Sequence, residues 1–187
     1  ENTVVIYTSD HGENKGDHGM WWKNCMYDHA ASVPLIVSWP ERWAGGQRRT
    51  EVCSLVDVVQ TIAELGGADA PDQWDGDSLV GLLDDPGADW PDFALSEYYA
   101  HNTASGFTMY REGRYKYVYH ARYDDDHGPE EELYDMREDP GEFENLADSR
   151  PETRERLHEA MLDELGEHPD DIDRRARREG AAGYDRG

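Results

Sequence analysis

Basic residues are scarce in this chain of 187 residues. Lys and Arg number 18 against 42 Asp and Glu, a formal net charge of −24. Phosphate attraction needs a positive face, so the balance argues against a nucleic-acid partner for the body of the domain. The acids are spread along the chain, which reads as a solvated surface suited to high salt; cation binding is the other reading. Cysteine is nearly absent. Cys25 and Cys53 make no disulfide framework and read as small buried or half-buried thiols. No run of 18 apolar residues exists, so no membrane-spanning helix is expected and no membrane partner is assigned. The location of the protein and its oligomeric state stay open. The sequence holds no N-x-[ST] acceptor, no phosphate-binding glycine loop and no nucleophile elbow. Asp124-Asp125-Asp126-His127-Gly128 lacks the alternating acids of an EF-hand and reads as a solvated acidic loop.

What the chain does have is concentrated in residues 3–40. Val4-Val5-Ile6-Tyr7 is a β-branched run of the buried, parallel type. It gives way at Thr8-Ser9-Asp10-His11-Gly12, where open α/β sheets keep their ligands. A polar loop with Gly12, Gly16 and Gly19 follows, then a second run, Val33-Pro34-Leu35-Ile36-Val37-Ser38, which reads as another buried strand. Adjacent side chains on a regular strand point to opposite faces. Asp10 and His11 can therefore reach one ion only where the strand breaks, and Gly12 supplies that break. Asp offers a hard oxygen and His a borderline nitrogen. Asp-His-Gly is also a common turn, so the residues alone leave the pair open between cation site and turn.

The combination of motifs decides between them. Ser9-Asp10-His11-Gly12, Gly16-Asp17-His18-Gly19, Trp21-Trp22-Lys23 and Val33-Pro34-Leu35-Ile36 together resemble the sulfatase family of the alkaline-phosphatase-like superfamily. Ser32 stands where members of that family often carry Arg. A second stretch resembles the same family: Glu132-Leu133-Tyr134-Asp135-Met136-Arg137-Glu138-Asp139-Pro140-Gly141-Glu142, followed by Glu144-Asn145-Leu146-Ala147. The resemblance covers nearly the whole chain but only the second part of a sulfatase.

It implies that Asp10 and His11 bind one divalent cation, completed by acidic residues from an N-terminal part. Calcium is the ion it favours; manganese, magnesium and zinc are tolerated by the ligand types. Lys23, thirteen places after Asp10, is implied to be a catalytic and substrate-binding cation that neutralises the sulfate; the bland reading is a snorkelling surface lysine. His18 is a second catalytic candidate, touching substrate or orienting Lys23, against a structural loop histidine. His101 is expected to line the pocket from a smaller lobe, against an ordinary exposed histidine. Glu13 could orient His11 or be solvated. Trp21 and Trp22 are expected to pack rather than bind.

Further along, residues 54–65 form an amphipathic helix with Ser54 as N-cap, Gly66-Gly67 as stop, and Leu55, Val58, Val59, Ile62 and Leu65 as a packing face. The resemblance implies a turn and short helix at Asp75-Gly76-Asp77-Ser78-Leu79, as follow in the family. Residues 93–99, 106–110, 115–119 and 132–135 read as short strands, the middle two a hairpin through the four-residue turn 111–114. Residues 151–167 read as the last helix, with Leu157, Met161 and Leu165 as its apolar side. Beyond Pro169 the chain reads as a frayed polar terminus.

The expected fold class is therefore α/β: the C-terminal part of an alkaline-phosphatase-like α/β sandwich (1–90), a small antiparallel sheet with a C-terminal helix (91–168), and a polar tail (169–187). The expected function is a fragment of a sulfatase (sulfuric ester hydrolase). No C-x-P-x-R or S-x-P-x-R run is present, so the formylglycine nucleophile that the resemblance implies is expected in a missing N-terminal part, and the isolated chain is expected to be inactive. The alternatives are a phosphonate monoester or phosphodiester hydrolase of the same superfamily and a non-catalytic acidic binding lobe.

Overall fold

The computed structural model describes residues 2–100 and 103–184, with side chains to residue 180. The chain divides into two compact units: Glu1–Lys23 with Asp28–Phe93, and Asn24–Tyr27 with Ala94–Gly187. The mixed α/β class expected from the sequence holds.

In the first unit, β1 (Val5–Tyr7) and β2 (Ile36–Ser38) pair in antiparallel register, Val5 opposite Ser38 and Tyr7 opposite Ile36. This corrects the expectation of buried, parallel-type strands. Ile6 and Leu35 reach a core of Val58, Leu79 and Leu82. Val5, Tyr7 and Ile36 alternate to the other face and are exposed. A two-stranded ribbon covered on one face cannot bury both. Between the strands lie a 3₁₀ turn (Asp17–Gly19) and α1 (Asp28–Ala31).

α2 spans Leu55–Leu65, and Ser54 precedes it in extended conformation. Its carboxylate Asp57 accepts the Ser54 N–H at 2.6 Å and the Asp77 N–H at 2.9 Å. Thr61 Oγ1 donates to the Asp57 carbonyl at 2.7 Å and accepts the Leu79 N–H at 2.8 Å. These bonds tie α2 to the turn that leads into α3 (Val80–Asp84). Gly76, at φ 85°, sits so close that a Cβ would lie 2.8 Å from Asp57 Oδ1. The helix ends where expected, and of its expected packing face Val58 is buried and Leu65 half-buried, whereas Leu55, Val59 and Ile62 are exposed; Asp57 and Thr61 are buried beside Val58. Buried polar groups must be hydrogen-bonded, and the partners of Asp57 and Thr61 lie on the 77–79 side.

The second unit is built on one sheet in the order β3-β4-β5-β6: Phe93–Tyr98, Phe107–Glu112, Tyr115–His120 and Glu130–Asp135. β4, β5 and β6 are antiparallel, with Tyr110 opposite Tyr117 and Tyr117 opposite Leu133. Glu112 pairs directly with Tyr115, so the hairpin loop is two residues rather than four; Gly113, at φ 49°, supplies the positive φ such a loop needs. Alternation along β5 decides what meets each face. Tyr117 and Tyr119 pack against His158 of α4 (Pro151–Leu165), beside the fully buried Leu157 and Met161. Val118 joins Met26, Phe107 and Met109 on the opposite side. There Lys116, 2% exposed, donates to Glu142 at 2.7 Å and to the Met26 carbonyl at 2.9 Å.

The terminus is not frayed over the described residues. Pro169–Tyr184 form a helix, α5, with Asp170 and Asp171 in its first turn. Asp173 is buried, accepts the Gly106 N–H at 2.8 Å and pairs with Arg177 one turn on at 2.6 Å. Pro at the start, acids at the N-terminus and a buried carboxylate outweigh the low apolar content. No helix is long and apolar enough to cross a membrane among the described residues.

Candidate active site

The chain leaves β1 and breaks at once. Gly12 N–H donates to the Ala30 carbonyl at 2.8 Å and Glu13 N–H to the His29 carbonyl at 2.7 Å, both on α1. The approach is so close that a Cβ on Gly12 would lie 2.0 Å from the His29 oxygen. Only glycine permits this. The break brings Asp10 and His11, neighbours in sequence, to one place: Asp10 Oδ2 lies 3.4 Å from His11 Nε2.

His11 has its protons assigned by its partners. Nδ1 is 2.7 Å from the Gly12 carbonyl, which can only accept, so Nδ1 carries the hydrogen. Nε2 is 2.5 Å from Lys23 Nζ, an ammonium that can only donate, so Nε2 presents its lone pair. This neutral tautomer, held through the far nitrogen by a backbone carbonyl, is the form that ligates metals. The His11 backbone N–H, 3.0 Å from Oδ1, holds the Asp10 carboxyl below the ordinary carboxylate range.

This donor set fits a divalent cation. One carboxylate oxygen and one imidazole nitrogen suit a hard-to-borderline ion. Two ligands at right angles, each about 2.4 Å from an ion, lie about 3.4 Å apart, which is the separation found. The pair supplies two donors only. Among the described residues no three His, Cys, Asp or Glu side chains gather on one point.

His18 belongs to a second group. Asp17 Oδ2 is 2.6 Å from His29 Nδ1 and 3.7 Å from His18 Nε2, and the His18 side chain is largely covered. The expectation for His101 lies outside the described residues. Trp21 and Trp22 are exposed rather than packed. Sequence reasoning passed over Asn14, a buried amide in the loop whose Nδ2 donates to the Trp22 carbonyl at 2.8 Å.

The family described as N-sulphoglucosamine sulphohydrolase, C-terminal, matches residues 16–169. The chain belongs to this sulfatase C-terminal family. Arylsulfatase K of Canis lupus familiaris is 33% identical over 170 residues, covering 86% of this chain and 31% of that protein. The sulfatase C-terminal chain described here thus spans under a third of that relative's length. A protein solved in complex with its substrate D-glucosamine-2-N,6-O-disulfate aligns at TM-score 0.79 and 27% identity, covering 90% of this chain and 36% of its own. The phosphonate monoester hydrolase of Agrobacterium radiobacter aligns at TM-score 0.70 and 27% identity, covering 86% and 34%.

Proposed function

We propose that this chain is the C-terminal part of a sulfatase acting on sulfate esters, with Asp10 and His11 holding part of one divalent-cation site and Lys23 binding the anion. The observation that carries the reading is the convergence of the Asp10 carboxylate, the His11 lone pair and the Lys23 ammonium within 3.4 Å and 2.5 Å steps. The spacing suits calcium better than magnesium, since octahedral bonds of about 2.1 Å would bring the two donors to about 3.0 Å. When bound, such an ion neutralises charge on an ester oxygen as a Lewis acid. The formylglycine nucleophile and the remaining ligands are assigned to a part of the protein outside this chain.

His11 Nε2 has one lone pair. It can accept from Lys23 or ligate a cation, not both; with a cation held by Asp10 and His11, the Lys23 ammonium would be left to bind the sulfate oxygens. A fixed ammonium there stabilises charge developing on the ester oxygen. The Gly12 carbonyl holds the imidazole ring in orientation throughout. His18, turned to Asp17, is read as bracing the loop and not as a group at the reacting atoms.

The test compares aryl sulfate and aryl phosphodiester turnover by the full-length protein. The sulfate is expected to be the better substrate. Lys23→Ala is expected to lower kcat by about 10²–10³-fold, the size of one lost transition-state donor. Asp10→Ala should abolish the dependence on added cation. Unaltered turnover in both variants would remove the proposal. A phosphodiester turned over faster than the sulfate would favour the second reading, the phosphonate monoester or phosphodiester hydrolase, which the likeness to the Agrobacterium enzyme supports.

A further inference from the structure

Lys23 reaches His11 from a loop whose backbone is unfavourable by itself. Trp22, the residue before it, has φ 73°. That left-handed conformation is unfavourable for a non-glycine residue. The Trp22 side chain is 74% exposed, so packing does not hold it there. Its carbonyl is what is held. The Asn14 backbone N–H donates to it at 3.0 Å and Asn14 Nδ2 at 2.8 Å. Asn14 is 3% exposed, and no other residue from His11 to Lys23 is buried.

The Trp22 carbonyl and the Lys23 nitrogen share one rigid peptide plane. Fixing the oxygen by two bonds fixes the tilt of that plane and the direction in which the Lys23 side chain departs. We propose that Asn14 is a positioning residue: its buried amide locks the left-handed Trp22 peptide and thereby aims the Lys23 ammonium at His11 Nε2. The functional weight of this rests on the reading of Lys23 as the anion-binding group; the positioning itself does not.

Two measurements on the full-length protein test it. The first is the rate at which an amine-reactive acylating reagent labels each lysine, read by peptide mass spectrometry. Lys15 is exposed and Lys116 buried, so both serve as internal references. Lys23 in the unaltered protein should label more slowly than Lys15. In Asn14→Ala it should rise to the Lys15 rate while Lys116 stays protected. The second is kinetic. Asn14→Ala should lower kcat for an aryl sulfate by about 10²-fold, the cost of a roughly 1 Å misplacement, with KM little changed.

Asn14→Leu supplies the second variant. It keeps the volume of the side chain but cannot donate to the Trp22 carbonyl, so it should lower kcat and raise Lys23 labelling as Asn14→Ala does. Lys23 labelling and kcat indifferent to both substitutions overturn the positioning role. A protein without sulfatase turnover whose Lys23 labelling still depends on Asn14 supports the positioning and removes the hydrolase reading.

Discussion

Gly12→Ala is the sharpest probe of how the loop holds the site. The added Cβ would stand 2.0 Å from the His29 oxygen, 2.9 Å from the His29 carbonyl carbon and 3.4 Å from Ala30 Cα. All three are backbone atoms and cannot swing aside. Relief requires the loop to back away from α1 by about 1 Å, since an ordinary carbon–oxygen contact is about 3.3 Å. That movement breaks the bonds from Gly12 N–H to the Ala30 carbonyl and from Glu13 N–H to the His29 carbonyl. Two lost bonds cost about 2 kcal/mol net and residual overpacking about 1–2 more, so the expected destabilisation is about 3–4 kcal/mol. The same shift carries away the Gly12 carbonyl that orients His11 Nδ1. Loss of such an outer partner lowers metal affinity by about 10–100-fold. Denaturant midpoints and calcium or manganese titration of the full-length protein measure the two effects. A variant within about 1 kcal/mol of the parent, with unaltered cation affinity, would show that the close approach of loop and helix is not real.

Three further outcomes are expected. Glu142→Ala removes the carboxylate that faces the buried Lys116 ammonium, which also donates to the Met26 carbonyl, and should cost about 3–5 kcal/mol in denaturant unfolding; Lys116→Met with Glu142→Leu should recover most of it. Asp57→Ala removes the acceptor of the Ser54 and Asp77 N–H groups, and should cost about 3 kcal/mol, detectable as faster hydrogen exchange at Asp77. His158 is held below the ordinary histidine range, first by burial, with Glu131 opposing and His168 and Arg154 reinforcing. Its neutral form is favoured in the folded state, so its stabilising contribution is complete above pH 6.5 and is lost as pH falls through the lowered value. His158→Gln should flatten the acid side of the stability profile below pH 6.5, and an unaltered slope would count against the assignment.

The residues proposed for the site sit within one short stretch. A strand and a glycine break left Asp10 and His11 open between cation site and turn; the resemblance singled them out and supplied the interval to Lys23. α2 and α4 were plain as helices, since Ser54 and Gly66 bound the first, and Pro151 with the spacing of Leu157, Met161 and Leu165 marks the second. What stayed hidden was set by partners far along the chain. The α5 segment looks like solvated tail because it is rich in Arg and Asp. Its order comes from Asp173 meeting the Gly106 N–H, 67 positions away, and from Arg177 stacking on Tyr123. Asn14 is similar: nothing in its neighbours says that the amide turns inward to Trp22.

α2 shows how a correct pattern can be only part of the packing signal. Its apolar residues recur at helical spacing, and of that stripe Val58 is buried with Leu79 and Leu82 while Leu55, Val59 and Ile62 are exposed. Asp57 and Thr61 lie to one side of Val58, and each has two partners in the 54–79 segment. A buried carboxylate or hydroxyl without partners costs more than an exposed leucine or valine. When a helix carries both an apolar stripe and a pair of polar groups with local partners, the polar pair sets its rotation. Asp57 and Thr61 are therefore a packing signal, written in polar residues, and they hold the turn at 75–79 rather than any reacting group.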